Sequence, residues 1–212
     1  VFVFETHWVR NLIGEGGFDQ VYHEHLCYYS LHALRHMVES VGLKIFDVIT
    51  VPIQGESLRV YVSKNIKPKK SVQEFLKREE KLGLNNIKTF SDFSKKVLEN
   101  KEKTIGLLKA LKEKGKKIAG YGAPAKGSTL LNFYGIGKET IDYIIDTTPL
   151  KQGMFTPGAH IPIYSPDKIN QLKPDYVLIL AWNYADAILK KEENLRKQGV
   201  KFIIPVPKVK VV

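Results

Sequence analysis

The last hundred residues constrain the fold most. Four apolar runs, KKIAGYG, TIDYIID, PDYVLILAW and KFIIPVP, recur between positions 116 and 207. A helical pattern follows the first from about Ala125, and YADAILKKEENLRKQ (184–198) precedes the last. Strands alternating with helices predict a parallel sheet. Residues 115–212 are therefore expected to form a small doubly wound α/β domain.

The first third reads as the tail of another α/β domain, about residues 1–65. VFVFETHW (1–8) has the composition of a buried strand, and a loop with Gly14, Gly16 and Gly17 follows. Ser30 is placed to cap a helix over 31–41 whose apolar face is Leu31, Leu34, Met37, Val38 and Val41. Gly42 stands where helices stop. LKIFDVITV and SLRVYVS are two further strands. Residues 66–114 are expected to be a helical linker. Its basic start, KNIKPKK (64–70), leads into helices near 71–82 and 88–114, and Gly115 ends the second. There is no repeat and no low-complexity segment.

Composition narrows the function classes. Of 212 residues, 43% are hydrophobic and 26% charged, which is globular. No apolar run reaches the roughly 20 residues of a membrane span. The chain opens on Val1 with a strand under way, so it is expected to be a piece lacking its N-terminal part. A net charge of +11 comes without the aromatic-basic interleaving of nucleic-acid platforms. A small phosphate-bearing substrate suits that charge. The single cysteine, Cys27, excludes an internal disulfide and a cysteine-based zinc cluster, and a cytoplasmic location is expected.

Four motifs carry chemistry. In FDQVYHEHLCYYS (18–30) two histidines flank a glutamate. If the segment is extended, His23 and His25 share one face, and Tyr22 and Glu24 the other. Histidine is the side chain nearest to a neutral-pH base. A carboxylate can orient it, and tyrosine can donate to a developing oxyanion. A metal reading, with His23, His25 and Cys27 as ligands, stands beside a buried structural histidine. GYGAPAKGSTLLN (120–132) follows a strand and opens a helix, where backbone N–H groups bind anions and Lys126 adds charge. Gly120, Gly122 and Ala125, with Asp146 after the next strand, also fit a dinucleotide pattern. DTTPLKQGMFTPGAHIPI (146–163) places Lys151 in a loop after a strand. In AWNYA (181–185), Asn183 is a candidate helix cap.

VYHEHLCYYS, GYGAPAKGSTLLN, DTTPLKQGMFTPGAHIPI and PDYVLILAWNYA, in this order, resemble the S-adenosylmethionine-dependent sugar C-methyltransferases of deoxysugar biosynthesis. The resemblance covers nearly the whole chain. It implies the tail of a Rossmann-like methyltransferase sheet, then a Rossmann-like C-terminal domain. The zinc module and the glycine-rich loop for S-adenosylmethionine would lie upstream. The implied substrate is a nucleotide-linked 4-keto-deoxysugar, methylated beside the ketone through an enolate. His25 corresponds to the base, Tyr22 and Glu24 to groups that orient it or stabilise the enolate, and His23 to an assisting group. Gly55, Ser57 and Arg59 would line the site. Tyr121, Ala125, Lys126, Ser128 and Lys151 would face the nucleotide diphosphate or the cleft. One segment departs from the family: IQGESLRVYV carries Gln54 and Glu56 where a histidine and a glycine are usual. Two other functions compete: an NAD-dependent oxidoreductase using 120–146, and a non-catalytic nucleotide-sugar-binding module.

Overall fold

The computed structural model of the chain describes residues 1–51 and 57–212. The chain divides into two compact units. The first takes residues 1–17 and 24–96, the second 18–23 and 97–212. Both are α/β, and the second is Rossmann-like.

In the first unit, β1 (Phe2–His7), β2 (Lys44–Val51) and β3 (Ser57–Ser63) form an antiparallel sheet in the order β1-β3-β2. Ile45, Val48 and Val51 of β2 are buried, as are Leu58, Val60 and Val62 of β3. The alternation along β3 is what a sheet with one covered face requires, while in β2 the register shifts between Ile45 and Asp47. The cover is two helices, α2 (Leu31–Glu39) and α3 (Lys70–Lys81). Leu31, Leu34 and Val38 from α2 join Val72, Phe75 and Leu76 from α3 in one core with Trp8. Each of these aliphatic side chains stabilises the fold by about 1.5–3 kcal/mol when fully buried.

The strand expected over VFVFETHW forms, but it is not buried. Phe2 is 60% and Val3 44% exposed. The reason is topological: among the described residues β1 is the edge of its sheet and pairs only with β3. A short helix, α1 (Val9–Gly14), follows it, where a loop was expected. α2 ends two residues early, and Gly42 then takes a left-handed φ of +75°.

Helix α4 (Ile87–Glu113) runs from one unit into the other, changing at Val97. The second unit is built on six strands, β4 (Ile118–Tyr121), β5 (Tyr143–Ile145), β6 (Ile163–Tyr164), β7 (Tyr176–Ile179), β8 (Lys201–Ile204) and β9 (Lys210–Val211). Their order is β6-β5-β4-β7-β8-β9. The first five are parallel and β9 is antiparallel. Strand order reverses between β4 and β7, which opens a crevice at their carboxyl ends. The expected helix α5 (Ala125–Tyr134) starts there.

The segment 184–198 is two helices, α7 (Ala185–Lys191) and α8 (Glu193–Lys197), after a short α6 (Lys168–Leu172). Glu192 interrupts them at φ −97°, ψ 27°. Its Oε1 accepts a 2.7 Å hydrogen bond from Tyr121 Oη, a tertiary contact that no helical periodicity could announce. Among the described residues, no helix is long and apolar enough to cross a membrane.

Candidate active site

The motif of residues 18–30 does not lie flat. Phe18–Gln20 form a 3-10 turn and residues 23–24 another turn, so the extended alternation of His23 with His25 does not occur. The reason is that the chain leaves one unit for the other here: residues 18–23 belong to the second unit, Glu24 onward to the first. Tyr22 and His23 hold their rings edge to face, 6.3 Å between centroids. His23 and Glu24 are exposed. Among the described residues, no three His, Cys, Asp or Glu side chains are grouped to hold a metal ion, so His23, His25 and Cys27 are not a ligand set.

In the first unit His25 packs on His7, the last residue of β1, with ring centroids 4.4 Å apart. Tyr28 closes a triangle, 6.2 Å from His25 and 6.1 Å from His7. Burial, and then the neighbouring His25, hold the proton affinity of His7 below that of a free imidazole.

Local backbone explains why these rings meet. Trp8 and Tyr29 form a parallel bridge, and Val9 N donates to Tyr29 O at 3.0 Å. The start of α2 is then pinned by a buried carboxylate. Glu79 of α3, fully buried, accepts from Leu31 N at 2.5 Å, His32 N at 3.0 Å and Trp8 Nε1 at 2.7 Å. His32 Nδ1, 2.7 Å away, faces an acceptor and so donates. Ser30 Oγ accepts from Ala33 N at 3.1 Å, as its sequence position predicts. The first three N–H groups of α2 thus all have partners, and a negative charge sits at the positive end of the helix.

In the second unit the anchor is Phe18-Asp19. Phe18 stacks on Tyr134 at 5.2 Å and leans on Phe133 at 5.4 Å. Asp19 is fully buried. Its Oδ2 accepts from Trp182 Nε1 at 2.6 Å, while Oδ1 has no hydrogen-bond partner among the described residues. Burial raises its pKa to about 6, against the opposing pull of the Trp182 bond and the Lys126 charge. Lys126, in the first turn of α5, lies over the Trp182 ring, 4.4 Å from its centroid, and donates to Asn183 Oδ1. Asn183 is therefore not the helix cap expected of it. It sits in a 3-10 turn, Trp182–Tyr184, and α7 has no side-chain cap.

A pocket of about 320 Å³ opens at the carboxyl ends of β4, β5 and β7, lined by Tyr121, Gly122, Asp146, Thr148 and Lys151 among others. Asp146 Oδ2 accepts from Ala123 N at 2.6 Å and Oδ1 from Thr148 N at 2.7 Å. Burial acts to raise its pKa. Those two amides and Lys151 outweigh burial, and the carboxyl ends below the usual range. Lys151 Nζ donates to Ala123 O at 2.8 Å. A Cβ on Gly120 would stand 2.6 Å from Ile144 Cγ1, and Gly122 has φ +81°. The two glycines of the dinucleotide-like pattern thus serve strand packing and a tight turn, and its acid braces the same loop.

The remaining expected residues are dispersed. Ala125 opens α5 and Ser128 lies one turn in, its carbonyl accepting from Asn132 Nδ2 at 2.8 Å. Tyr121 is tied to Glu192, and burial, then that carboxylate, push its pKa far up. Ser57 is buried directly opposite His7 in the sheet. Arg59 faces Glu5 across the strands, Nη2 to Oε1 2.6 Å. Gly55, with Gln54 and Glu56, lies outside the described residues.

The sequence profile of the C-methyltransferase C-terminal domain matches residues 52–207. The chain belongs to this family. The C-methyltransferase NovU of Streptomyces niveus is 36% identical over 217 residues, an alignment that covers 100% of this chain. The chain spans about half of that relative, 51% of its length. Within this family member, sequence reading missed three residues: His7, Asp19 and Glu79. Only Asp19 carried a signal, its place within the motif. Nothing local marks His7 or Glu79, whose partners lie far along the chain.

Proposed function

We propose that this chain is part of an enzyme that transfers a methyl group from S-adenosylmethionine to the carbon beside the ketone of a nucleotide-linked 4-keto-deoxysugar. The observation that carries this reading is His25, packed on His7 and Tyr28 in a chain of the C-methyltransferase C-terminal domain family. His25 takes the acidic proton from the carbon α to the ketone. The electrons of that C–H bond form the enolate, whose carbon is the nucleophile that would receive the methyl group as its bond to sulfur breaks and S-adenosylhomocysteine leaves. Tyr22 and Glu24 orient the base or stabilise the enolate oxygen, and His23 assists. A neutral-pH base of this kind contributes typically 10²–10⁴-fold.

The loop and first turn of α5 are assigned to the nucleotide diphosphate. Backbone N–H groups there and the Lys126 ammonium complement a diphosphate. Tyr121, Ala125, Ser128 and Lys151 shape that loop. Gly55, Ser57 and Arg59 are assigned to the sugar side.

Most of the S-adenosylmethionine site is assigned upstream of this chain, and the dinucleotide-like stretch 120–146 is not read as part of it. Asp146, the acid placed where a ribose would bind, already accepts two backbone N–H groups, and Ile144 fills the space at Gly120. What these residues handle is therefore the proton and the acceptor sugar. In this reading residues 1–65 finish the methyltransferase domain, 66–114 link it, and 115–212 bind the nucleotide sugar, in the cytoplasm. Zinc belongs to an upstream module.

The test uses the full-length protein with methyl-labelled S-adenosylmethionine and a panel of nucleotide-linked 4-keto sugars, beside His25→Ala. Label on carbon, lost in the variant, is the expected result. No label from any sugar would overturn the reading.

A further inference from the structure

We propose that His7 is a positioning residue of the same site: it holds the ring of His25, and the two imidazoles carry a single proton between them. This role rests on the reading of His25 as the base.

Geometry carries it. The two rings are 4.4 Å apart, tilted by 47°, with Tyr28 against both. That contact is built from both sides. His7 is the last residue of β1, and the next residue, Trp8, is bridged to Tyr29 and hydrogen-bonded to Glu79. The same Glu79 holds Leu31, just beyond the motif. One buried carboxylate thus fixes the segment that carries His7 and the helix that ends the segment carrying His25. These buried hydrogen bonds hold the two backbone segments beside the rings, which helps to pre-organise the pair.

The contact itself makes the proton exclusive. On the sheet side His7 faces Ser57, a neutral residue. Two residues on along the strands, Glu5 and Arg59 pair with each other. Two charged imidazoles at this distance repel, so the second proton is disfavoured. The lowered proton affinity of His7 agrees with that. His7 thus stays neutral when His25 takes the substrate proton. It supports the ring without competing for that proton.

The experiment has two arms on the full-length protein. The first follows imidazole carbon resonances with pH. His7 is expected to titrate below the ordinary imidazole range, and its midpoint is expected to rise in His25→Asn. An unchanged midpoint overturns the pairing. The second arm measures methyl transfer against pH for His7→Asn and for His7→Phe, which keeps a packed ring. Both are expected to lower kcat about tenfold with KM within about twofold. The acid limb of log kcat/KM is expected to steepen from slope one toward slope two in the parent enzyme, and to stay at slope one in both variants. Parallel limbs in parent and variants overturn the proposal, because a merely structural ring would produce them. If the parent methylates nothing, the proposed function fails, and the resonance arm still decides whether the histidines are paired.

Discussion

Glu79 Oε1 accepts a 2.7 Å hydrogen bond from the indole Nε1 of Trp8, 71 residues away, with both side chains buried. The same carboxylate caps α2. Breaking such a buried charged network from one side costs about 3–5 kcal/mol, because the donors left behind lose their partner. Glu79→Ala is expected to destabilise the chain by that amount. Glu79→Gln keeps one accepting oxygen and is expected to lose about half as much. Denaturant unfolding of the two variants checks the order.

Asp19 makes stability depend on pH. Its folded pKa, about 6, stands above the ordinary 3.8. The folded protein therefore binds this proton more tightly than the unfolded chain does. The contribution is fully present below pH 3.8 and lost as pH rises to about 6. That gap corresponds to about 3 kcal/mol. Asp19→Asn should remove that slope. Unfolding free energies at pH 4 and pH 7, parent against variant, measure it. Equal slopes would mean that Asp19 is ionised throughout.

His7 acts in the opposite direction. Its folded proton affinity is lowered, first by burial and then by His25. Its contribution to stability is present above the free-imidazole value of 6.5 and lost as pH falls below it. Parent and His7→Asn should therefore diverge in stability only on the acidic side, which thermal melts between pH 5 and 8 would detect.

Lys126 is the cation assigned to the diphosphate. Its ammonium donates to Asn183 Oδ1 and lies over the Trp182 ring. Lys126→Met should weaken binding of a nucleoside diphosphate about tenfold, or about 1.4 kcal/mol, and flatten its salt dependence. Calorimetry at two ionic strengths tests both effects. Unchanged affinity would place the diphosphate elsewhere.

Gly120→Ala should cost about 1–3 kcal/mol, the usual range for an overpacked core. The added Cβ would meet Ile144 Cγ1 at 2.6 Å, between two paired strands. Pairing it with Ile144→Val should not restore stability, because valine keeps the Cγ1 carbon. Thermal melts of the single and double variants compare the two.

The kind of each long element, and the family, were legible in residue order alone. Alternating strands and helices after Gly115 specified the Rossmann-like sheet, since a parallel strand needs a crossover. Ser30 marked the start of α2, and Gly42 the left-handed turn that follows it, because capping and a left-handed φ are local chemistry. Four ordered motifs pointed to the C-methyltransferases. Which side chains meet is a matter of long-range packing. Asp19 and Trp182 are 163 residues apart, and Trp8 and Glu79 71. Helix and strand periods say which face is apolar, not which element covers it. The turn at residues 23–24 could not be read either. It exists because residues 18–23 are held by Phe133, Tyr134 and Trp182, contacts that form only when the second unit folds.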